Sequence, residues 1–240
     1  ITGMIKAVIF DLDDTLYDCL HNDHKSIDAT AEYVASELLH MDRQVVRDAF
    51  YKGRETIKEQ LSSWDMAAQH NRVLYIQKML EILGVSPFKY AIDIYDYFWN
   101  DFLNRIELFP GALDFLKHLK DLGIKTEICT DMTAHIQFRK LERLGISGYI
   151  DYMTTSEEAG VEKPDIRIFN MALNKLGLPP EEVMYIGDSY RKDVLGAKNA
   201  GILPVWYLSL ADRNSVEAAD IIAVENYGKL KEISAEFFTI

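Results

Sequence analysis

The segment Ile5–Thr15 reads IKAVIFDLDDT, and it joins a short apolar run to a group of acidic residues. The β-branched and apolar residues from Ile5 to Phe10 are typical of a strand that is buried on both faces of a parallel sheet. In open parallel sheets, ligands bind beyond the carboxyl ends of the strands. We therefore predict that Asp11 and Asp13 lie at a functional edge of a sheet.

The rest of the chain divides into a helical stretch and an alternating stretch. From about Cys19 to Arg105, apolar residues recur at three- and four-residue intervals, which indicates a four-helix unit without strands. Beyond Pro110-Gly111, helical segments alternate with short apolar runs, as they do in doubly wound parallel sheets. We predict an α/β core of residues 4–16 and 107–240 and an inserted helical cap of residues 17–106.

Composition narrows the classes of partner. The net charge of −12 opposes the binding of nucleic acid and of anionic membranes. Cys19 and Cys129 belong to no disulfide or zinc pattern, which fits a reducing cytoplasm. The sequence contains neither an apolar stretch of membrane-spanning length nor a recognisable secretion signal. We expect a cytoplasmic protein that acts on a small molecule, and the sequence leaves open whether it is a monomer or a homodimer.

Further polar side chains follow other predicted elements of the sheet. They are Thr130 at the end of IKTEICT, Lys163 in the loop VEKPD, Asp188 at the end of EVMYIGD, and Asp193 shortly after it. Each one alone has an ordinary explanation as a turn residue, a helix cap or a solvated loop charge. Taken with the two aspartates after the first strand, they bring carboxylates, a hydroxyl and an ammonium to one edge of one sheet.

This set of groups suits phosphoryl transfer through a covalent intermediate. The nucleophile Asp11 must approach a phosphate of the same charge, and Mg²⁺ bound by Asp11 and Asp188 would offset that repulsion. Lys163 and the Thr130 hydroxyl would bind the remaining phosphate oxygens, together with backbone amides. Asp13 can present a second carboxyl to the opposite side of the phosphate, where it would act as general acid and then as general base.

The motifs FDLDDTLYD, LFPGALDFL, ICTD, EKPD and GDSYRKDVLGAKNAG together resemble the haloacid dehalogenase superfamily of phosphohydrolases. The resemblance covers nearly all of the chain outside the predicted cap, whose position is similar to that of the helical cap in subfamily IA (the C1 cap). It implies a Rossmann-like core, Mg²⁺ as cofactor, an aspartyl-phosphate intermediate and a small phosphoester substrate, such as a nucleoside 5′-monophosphate or a sugar phosphate. By analogy, the cap would close over the substrate and select the leaving group.

The resemblance also implies a role for each matching residue. Asp11 is the expected nucleophile and a metal ligand, Asp13 the acid/base and a metal ligand through its backbone carbonyl, Thr130 and Lys163 the phosphate-binding residues, Asp188 a metal ligand, and Asp193 a support for the metal through water. Asp131 is a departure, because relatives often have Asn-Gly where this chain has Asp131-Met132. We expect the Asp131 carboxylate to turn away from the substrate and cap the next helix, leaving its backbone N–H facing the site.

Other functions remain open on the sequence alone. A dehalogenase attacks carbon and needs no acid at the position of Asp13, so this residue argues against it. A phosphomutase would share every residue named above. A non-hydrolytic phosphate-binding module is a further alternative, although the intact acid at Asp13 argues against that as well. In the cap, the aromatic residues Tyr90, Tyr95, Tyr97, Phe98 and Trp99 are predicted to form core rather than a substrate-binding surface.

Overall fold

The computed structural model describes residues 4–62, 66–208 and 221–238. Six strands form one sheet. In chain order they are β1 (Ala7–Phe10), β2 (Lys125–Thr130), β3 (Tyr152–Thr155), β4 (Val183–Gly187), β5 (Leu203–Tyr207) and β6 (Ile222–Val224). Residues 209–220, part of the predicted core, lie outside the description.

The sheet has the strand order β3-β2-β1-β4-β5-β6, and every neighbouring pair is parallel. The direction in which strands are added reverses at β1 and β4, which makes the carboxyl ends of these two strands the place where a ligand is expected. The predicted α/β fold class with a doubly wound parallel sheet is confirmed.

Strand β1 lies at the centre of the sheet, and its residues are all buried. Phe10 is in register with Ile128 on one side and Ile186 on the other. The N–H of Asp11 donates to the carbonyl of Ile186 at 2.9 Å and so extends the pairing by one residue. The buried run therefore ends where the first carboxylate begins.

Helices from outside the inserted segment cover the sheet. They are α5 (Ala112–Asp121), α6 (Ala134–Arg143), α7 (Ser156–Ala159), α8 (Ile166–Leu176), α9 (Leu195–Asn199) and α10 (Tyr227–Ser234). The Asp165 side chain caps α8 at its N-terminus by accepting from the N–H of Arg167, and Gly177 ends the helix at a φ of 66°. After β4 the chain forms a π-helical turn over Tyr190–Val194 that continues into α9.

The inserted segment contains four longer helices. They are α1 (Cys19–Tyr33), which continues as a π-helical segment over Val34–Leu39, α2 (Arg43–Leu61), α3 (Arg72–Ile82) and α4 (Ala91–Arg105). The chain forms two compact units, of which one is Cys19–Ile106 and the other takes the residues up to Asp18 and from Glu107 onward. Across the three described ranges, no helix combines the length and the apolar character that crossing a bilayer requires.

The predicted aromatic cluster of the inserted unit is only partly core. Phe98 and Trp99 are buried, whereas Tyr90, Tyr95 and Tyr97 are half-buried. Tyr97 lies off the buried stripe of α4, Tyr95 lies in line with it near the start of the helix, and Tyr90 precedes the helix.

The carboxyl of Glu127 is buried within β2, next to β3. Its Oε1 accepts from the Thr154 hydroxyl at 2.7 Å, and its Oε2 has no hydrogen-bond partner among the described residues. Burial, the largest effect, raises the pKa of Glu127 to about 8, although Thr154 and Lys175 oppose the rise. The folded protein therefore holds Glu127 protonated at neutral pH.

This carboxyl makes the stability of the fold depend on pH. Because the folded pKa lies above the unfolded value, the stabilising contribution is complete below the unfolded pKa and is lost as pH rises through about 8. We expect the free energy of unfolding of the wild type to fall, relative to Glu127→Gln, by about 2–4 kcal/mol between roughly pH 5 and pH 8.5. Urea unfolding of both proteins at the two pH values measures this difference, and parallel pH profiles would contradict it.

Candidate active site

The candidate site is organised around the ammonium group of Lys163. Its Nζ donates to Oδ1 of Asp11 at 2.7 Å and to Oδ1 of Asp193 at 2.7 Å. All three side chains are almost completely buried. Residues from the end of β1, from the loop before α8 and from the turn after β4 are thus joined by ionic hydrogen bonds.

Asp188 joins this group through the hydroxyl of Thr15. The Thr15 Oγ1 lies 3.3 Å from Oδ2 of Asp11 and 3.2 Å from Oδ1 of Asp188, and it accepts from the N–H of Asp188 at 3.1 Å. A hydroxyl has one proton, so Thr15 donates to one of the two carboxylates at a time. The indole N–H of Trp206 donates to the Asp188 carbonyl at 2.8 Å and helps to fix this turn.

A glycine at the end of β4 makes room for Asp193. A Cβ at Gly187 would lie 2.4 Å from the Cγ of Asp193, which is too close for two carbon atoms that are not bonded to each other. Oδ1 of Asp193 also accepts from the Tyr185 hydroxyl at 3.0 Å, and Oδ2 accepts from the N–H of Ser189 at 3.0 Å. The missing side chain at Gly187 therefore allows the carboxylate to fold back against the strand end.

The carboxylates of this group raise one another's affinity for protons. Burial raises the pKa of Asp11 well above its usual value, and the nearby charges of Asp193 and Asp188 add to the effect against the pull of Lys163. Burial and then Asp193 raise the pKa of Asp188 to about 7. The pKa of Lys163 is also raised, because its two carboxylate partners outweigh the effect of burial. The site is therefore short of positive charge.

The same carboxylates fit a divalent cation. One oxygen from each of Asp11, Asp188 and Asp193 lies within 4.8 Å of the other two. Carboxylate oxygens are the ligands that hard cations such as Mg²⁺ prefer, and a bound cation would relieve the mutual repulsion of the three groups. The geometry thus brings together the three predicted metal-binding side chains.

Asp13 has different surroundings from Asp11, although only Leu12 separates them. Its Oδ1 accepts from Lys140 Nζ at 2.7 Å and from the Tyr17 hydroxyl, and its Oδ2 accepts from Gln137 Nε2 at 3.3 Å. Burial works to raise the pKa of Asp13, but the charge of Lys140 and these hydrogen bonds together lower it. Asp13 is therefore an ionised carboxylate in the free protein at neutral pH.

Thr130 lies at the end of β2, and its side chain is buried. Its Oγ1 accepts from Gln137 Nε2 at 2.7 Å. The same amide thus contacts both Thr130 and Asp13. The sequence does not predict a role for Gln137 or Lys140. Both lie on helix α6, where the helical pattern does not distinguish them from other polar residues.

The Asp131 carboxylate binds the Lys163 loop and Lys192, and it does not cap the following helix. Its Oδ1 accepts from the backbone N–H of Lys163 at 2.8 Å, and its Oδ2 pairs with Lys192 Nζ at 2.8 Å. Helix α6 instead receives an acceptor from Glu157, whose carboxylate takes the N–H of Ala134 at 2.7 Å. The capping prediction was wrong because the Lys163 loop lies close enough to offer Asp131 a backbone donor and a cation.

Comparisons with known proteins agree on one family. A family model described as haloacid dehalogenase-like hydrolase matches residues 5–201. The chain is 33% identical to a ribulose-1,5-bisphosphate 5-phosphatase of Halopiger xanaduensis, over 92% of both chains. It is also 33% identical to a glyceraldehyde 3-phosphate phosphatase of Methanothermobacter thermautotrophicus, over 96% of this chain and 100% of that one.

A solved structure gives the same result for the fold. The crystal structure of a 2-haloacid dehalogenase from Pseudomonas syringae pv. Tomato superposes with a TM-score of 0.77 and 23% identity, and the match covers 98% of this chain and 100% of that one. At this level of identity the likeness concerns the fold alone. The arrangement of the site has to carry the argument about chemistry.

The Asp131–Lys192 pair provides a test of how the extra carboxylate is accommodated. Asp131→Asn keeps an acceptor for the Lys163 N–H but removes the charge that faces Lys192. In a double-mutant cycle with Lys192→Met, we expect a coupling free energy of about 1 kcal/mol in urea unfolding. The exposed pair Asp165 and Arg167 is the control, for which the cycle Asp165→Asn with Arg167→Met should give less than about 0.5 kcal/mol. Equal coupling in the two cycles would contradict this explanation of Asp131.

Proposed function

The chain belongs to the haloacid dehalogenase-like hydrolases, and from that premise we propose that it is a phosphatase that hydrolyses small phosphomonoesters, with sugar phosphates as the first substrate class to test. The observation that carries the proposal is the contact of Asp11 with Lys163 beside two more carboxylates, with Asp13 two residues away in a separate hydrogen-bonded environment. Two relatives that match over most of their length are named as phosphatases of phosphorylated sugars, which supports the substrate class.

In the proposed mechanism Asp11 is the nucleophile. One of its carboxylate oxygens forms a bond to phosphorus while the bond from phosphorus to the ester oxygen breaks. The ammonium of Lys163 and the hydroxyl of Thr130 bind the non-bridging phosphate oxygens. Lys163 also favours the ionised, nucleophilic form of Asp11, because its ammonium group is in direct contact with that carboxylate.

Asp13 is proposed to move the protons of both steps. As the ester bond breaks, a protonated Asp13 gives its proton to the leaving alkoxide. Water then attacks phosphorus and gives a proton to the Asp13 carboxylate, the bond between phosphorus and Asp11 breaks, and inorganic phosphate is released. The lowered pKa of Asp13 suits the second step, and the first step requires Asp13 to take up a proton with the substrate.

Mg²⁺ is proposed as the cofactor. The side chains of Asp11, Asp188 and Asp193 would hold it, together with the backbone carbonyl of Asp13, and it would supply positive charge that lets a carboxylate approach a phosphate. The family resemblance implies that Asp193 acts through water. The direct bond from Lys163 to Asp193 is consistent with such a supporting position, because this carboxylate is already held by a protein cation.

The reaction products distinguish the proposed phosphatase from a phosphomutase and from a non-hydrolytic binding module. A phosphomutase would return the phosphoryl group to a substrate, whereas a phosphatase releases it steadily as inorganic phosphate. A non-hydrolytic binding module would release none. The inserted helical unit is proposed to select the leaving group, so substrate choice rather than chemistry is expected to depend on residues 17–106.

Phosphate release is the first test. We expect the purified protein to release inorganic phosphate from p-nitrophenyl phosphate and from members of a panel of sugar phosphates, nucleoside monophosphates and phosphorylated short-chain acids, when Mg²⁺ is present. Removal of the metal with EDTA should lower the rate by about 10²-fold or more, and added Mg²⁺ should restore it. No release from any member of the panel would contradict the proposed function, and equal rates with and without the metal would contradict the proposed cofactor.

The role of Asp11 is tested by a nearly isosteric change. Asp11→Asn removes the nucleophilic carboxylate, so kcat should fall by about 10⁴-fold or more while thermal unfolding stays within a few degrees of the wild type. Asp165→Asn is the matched control, since Asp165 lies on the same unit and its asparagine replacement still caps α8. Near-normal turnover by Asp11→Asn would mean that another group attacks the phosphate.

A further inference from the structure

Helix α6 presents two buried polar side chains to residues with proposed roles in catalysis. Gln137 and Lys140 are one helical turn apart and therefore lie on the same face of the helix. Their exposed fractions are 0% and 1%. Polar groups this deeply buried cost free energy unless they are paired. Gln137 donates to Thr130 and to Asp13, and Lys140 donates to Asp13.

The direction of the hydrogen bonds around Gln137 is determined by chemistry. The NH₂ group of Gln137 lies 3.3 Å from Oδ2 of Asp13, whose Oδ1 accepts from Lys140 and from the Tyr17 hydroxyl. That same NH₂ group lies 2.7 Å from Oγ1 of Thr130 and must donate to it as well. The Oε1 of Gln137 is buried and has no hydrogen-bond donor among the described residues, so the hydrogen bonds that Gln137 makes to Thr130 and Asp13 come from its NH₂ group.

This direction has a consequence for the Thr130 hydroxyl. Its oxygen accepts from Gln137, so its single proton remains available for a different acceptor. A phosphate dianion offers only acceptors. A threonine whose proton was already donated to the protein would present lone pairs to the phosphate and repel it. Gln137 thus fixes the one orientation of the hydroxyl that binds an anion.

Lys140 contacts Asp13 as Gln137 contacts Thr130. Its Nζ donates to Oδ1 at 2.7 Å, the Tyr17 hydroxyl donates to the same oxygen, and Gln137 donates to Oδ2. Lys140 Nζ also lies 5.8 Å from the centre of the Tyr17 ring, within the range of a cation–π contact. Donors on both oxygens hold the carboxylate in one rotational orientation.

We propose that Gln137 and Lys140 are positioning residues for the hydrolysis of phosphoesters, and this inference rests on the proposed function. Gln137 acts through Thr130 by leaving its hydroxyl free to donate to a phosphate oxygen. Lys140 acts through Asp13 by fixing the orientation in which its carboxyl exchanges a proton with the leaving group. Neither residue touches the reacting atoms.

Binding of inorganic phosphate tests the part played by Gln137 without requiring turnover. The dissociation constant is measured by calorimetry in the presence of Mg²⁺ for the wild type, Gln137→Met, Thr130→Val and the double variant. We expect Gln137→Met to weaken binding by about fivefold to tenfold. In the Thr130→Val background the same change should alter binding by less than about twofold, because the hydroxyl through which Gln137 acts is gone.

Several results of this cycle would overturn the proposal. They are unchanged binding by Gln137→Met, equal losses in the two backgrounds, and a wild type that does not bind phosphate. If Gln137→Met does not fold, Gln137→Glu carries the same cycle, since it keeps the shape of the side chain. Its carboxylate would take the proton of Thr130 and would also repel phosphate in both backgrounds, so the loss should be greater by about fivefold or more when Thr130 is present.

Leaving groups of different basicity test the part played by Lys140. An alkyl phosphate must protonate its leaving alkoxide, whereas p-nitrophenyl phosphate expels a stable phenolate that needs no proton. The ratio kcat/KM includes no step after the first leaving group departs. We therefore expect Lys140→Met to lower kcat/KM by about tenfold or more for the alkyl substrate and by less than about threefold for the aryl substrate, with partial rescue by Lys140→Arg.

Controls separate positioning from loss of structure. Lys175→Met removes another lysine of the same unit, one that forms a salt bridge with Glu158. This change should alter kcat/KM for neither the alkyl nor the aryl substrate. If Lys140→Met does not fold, Tyr17→Phe removes a single donor to Asp13 and should give the same selectivity with a smaller loss. Equal losses on both substrates would contradict positioning. If the wild type releases no phosphate from any ester, the proposed function fails. The phosphate-binding measurements would still test whether Gln137 acts through the Thr130 hydroxyl.

Discussion

The contact between Lys163 and the carboxylates of Asp11 and Asp193 is the interaction on which the site depends. Three segments that are far apart in the sequence meet there, and one buried ammonium compensates two buried carboxylates. A third carboxylate, from Asp188, lies close enough that all three could share a cation. Loss of the Lys163 ammonium would be costly, because it would leave two buried carboxylates without a cation. The parallel sheet makes the meeting possible by bringing the ends of β1 and β4 together.

Two aspartates separated by one residue are placed in opposite electrostatic environments. Burial and neighbouring carboxylates raise the pKa of Asp11, whereas Lys140 and hydrogen-bond donors lower that of Asp13. An attacking carboxyl must be ionised and a proton-donating carboxyl must be protonated, so both pKa directions in the protein alone oppose the first step. The raised pKa of Asp11 explains why a cation is expected in the site, since extra positive charge favours the ionised form that a nucleophile needs.

Much of this arrangement could be predicted from the sequence, because strand ends and motif residues are local features. The buried run before Asp11 and the grouping of Asp11, Lys163 and Asp188 both follow from patterns along the chain. Gln137 and Lys140 could not be found in this way, because their partners lie on other elements and only the folded chain brings them together. The contact of Asp131 with Lys192 was missed for the same reason.

The central claim is that Asp11 carries the phosphoryl group, and chemical trapping tests it most directly. The enzyme is quenched during turnover of a substrate, the acyl phosphate is reduced with borohydride, and the peptides are examined by mass spectrometry. The account predicts that residue 11, an aspartate in the untreated protein, is recovered as homoserine in proportion to the trapped intermediate. Reduction at Asp13 or Asp188 instead, or phosphate release with no trapped carboxylate at all, would contradict it.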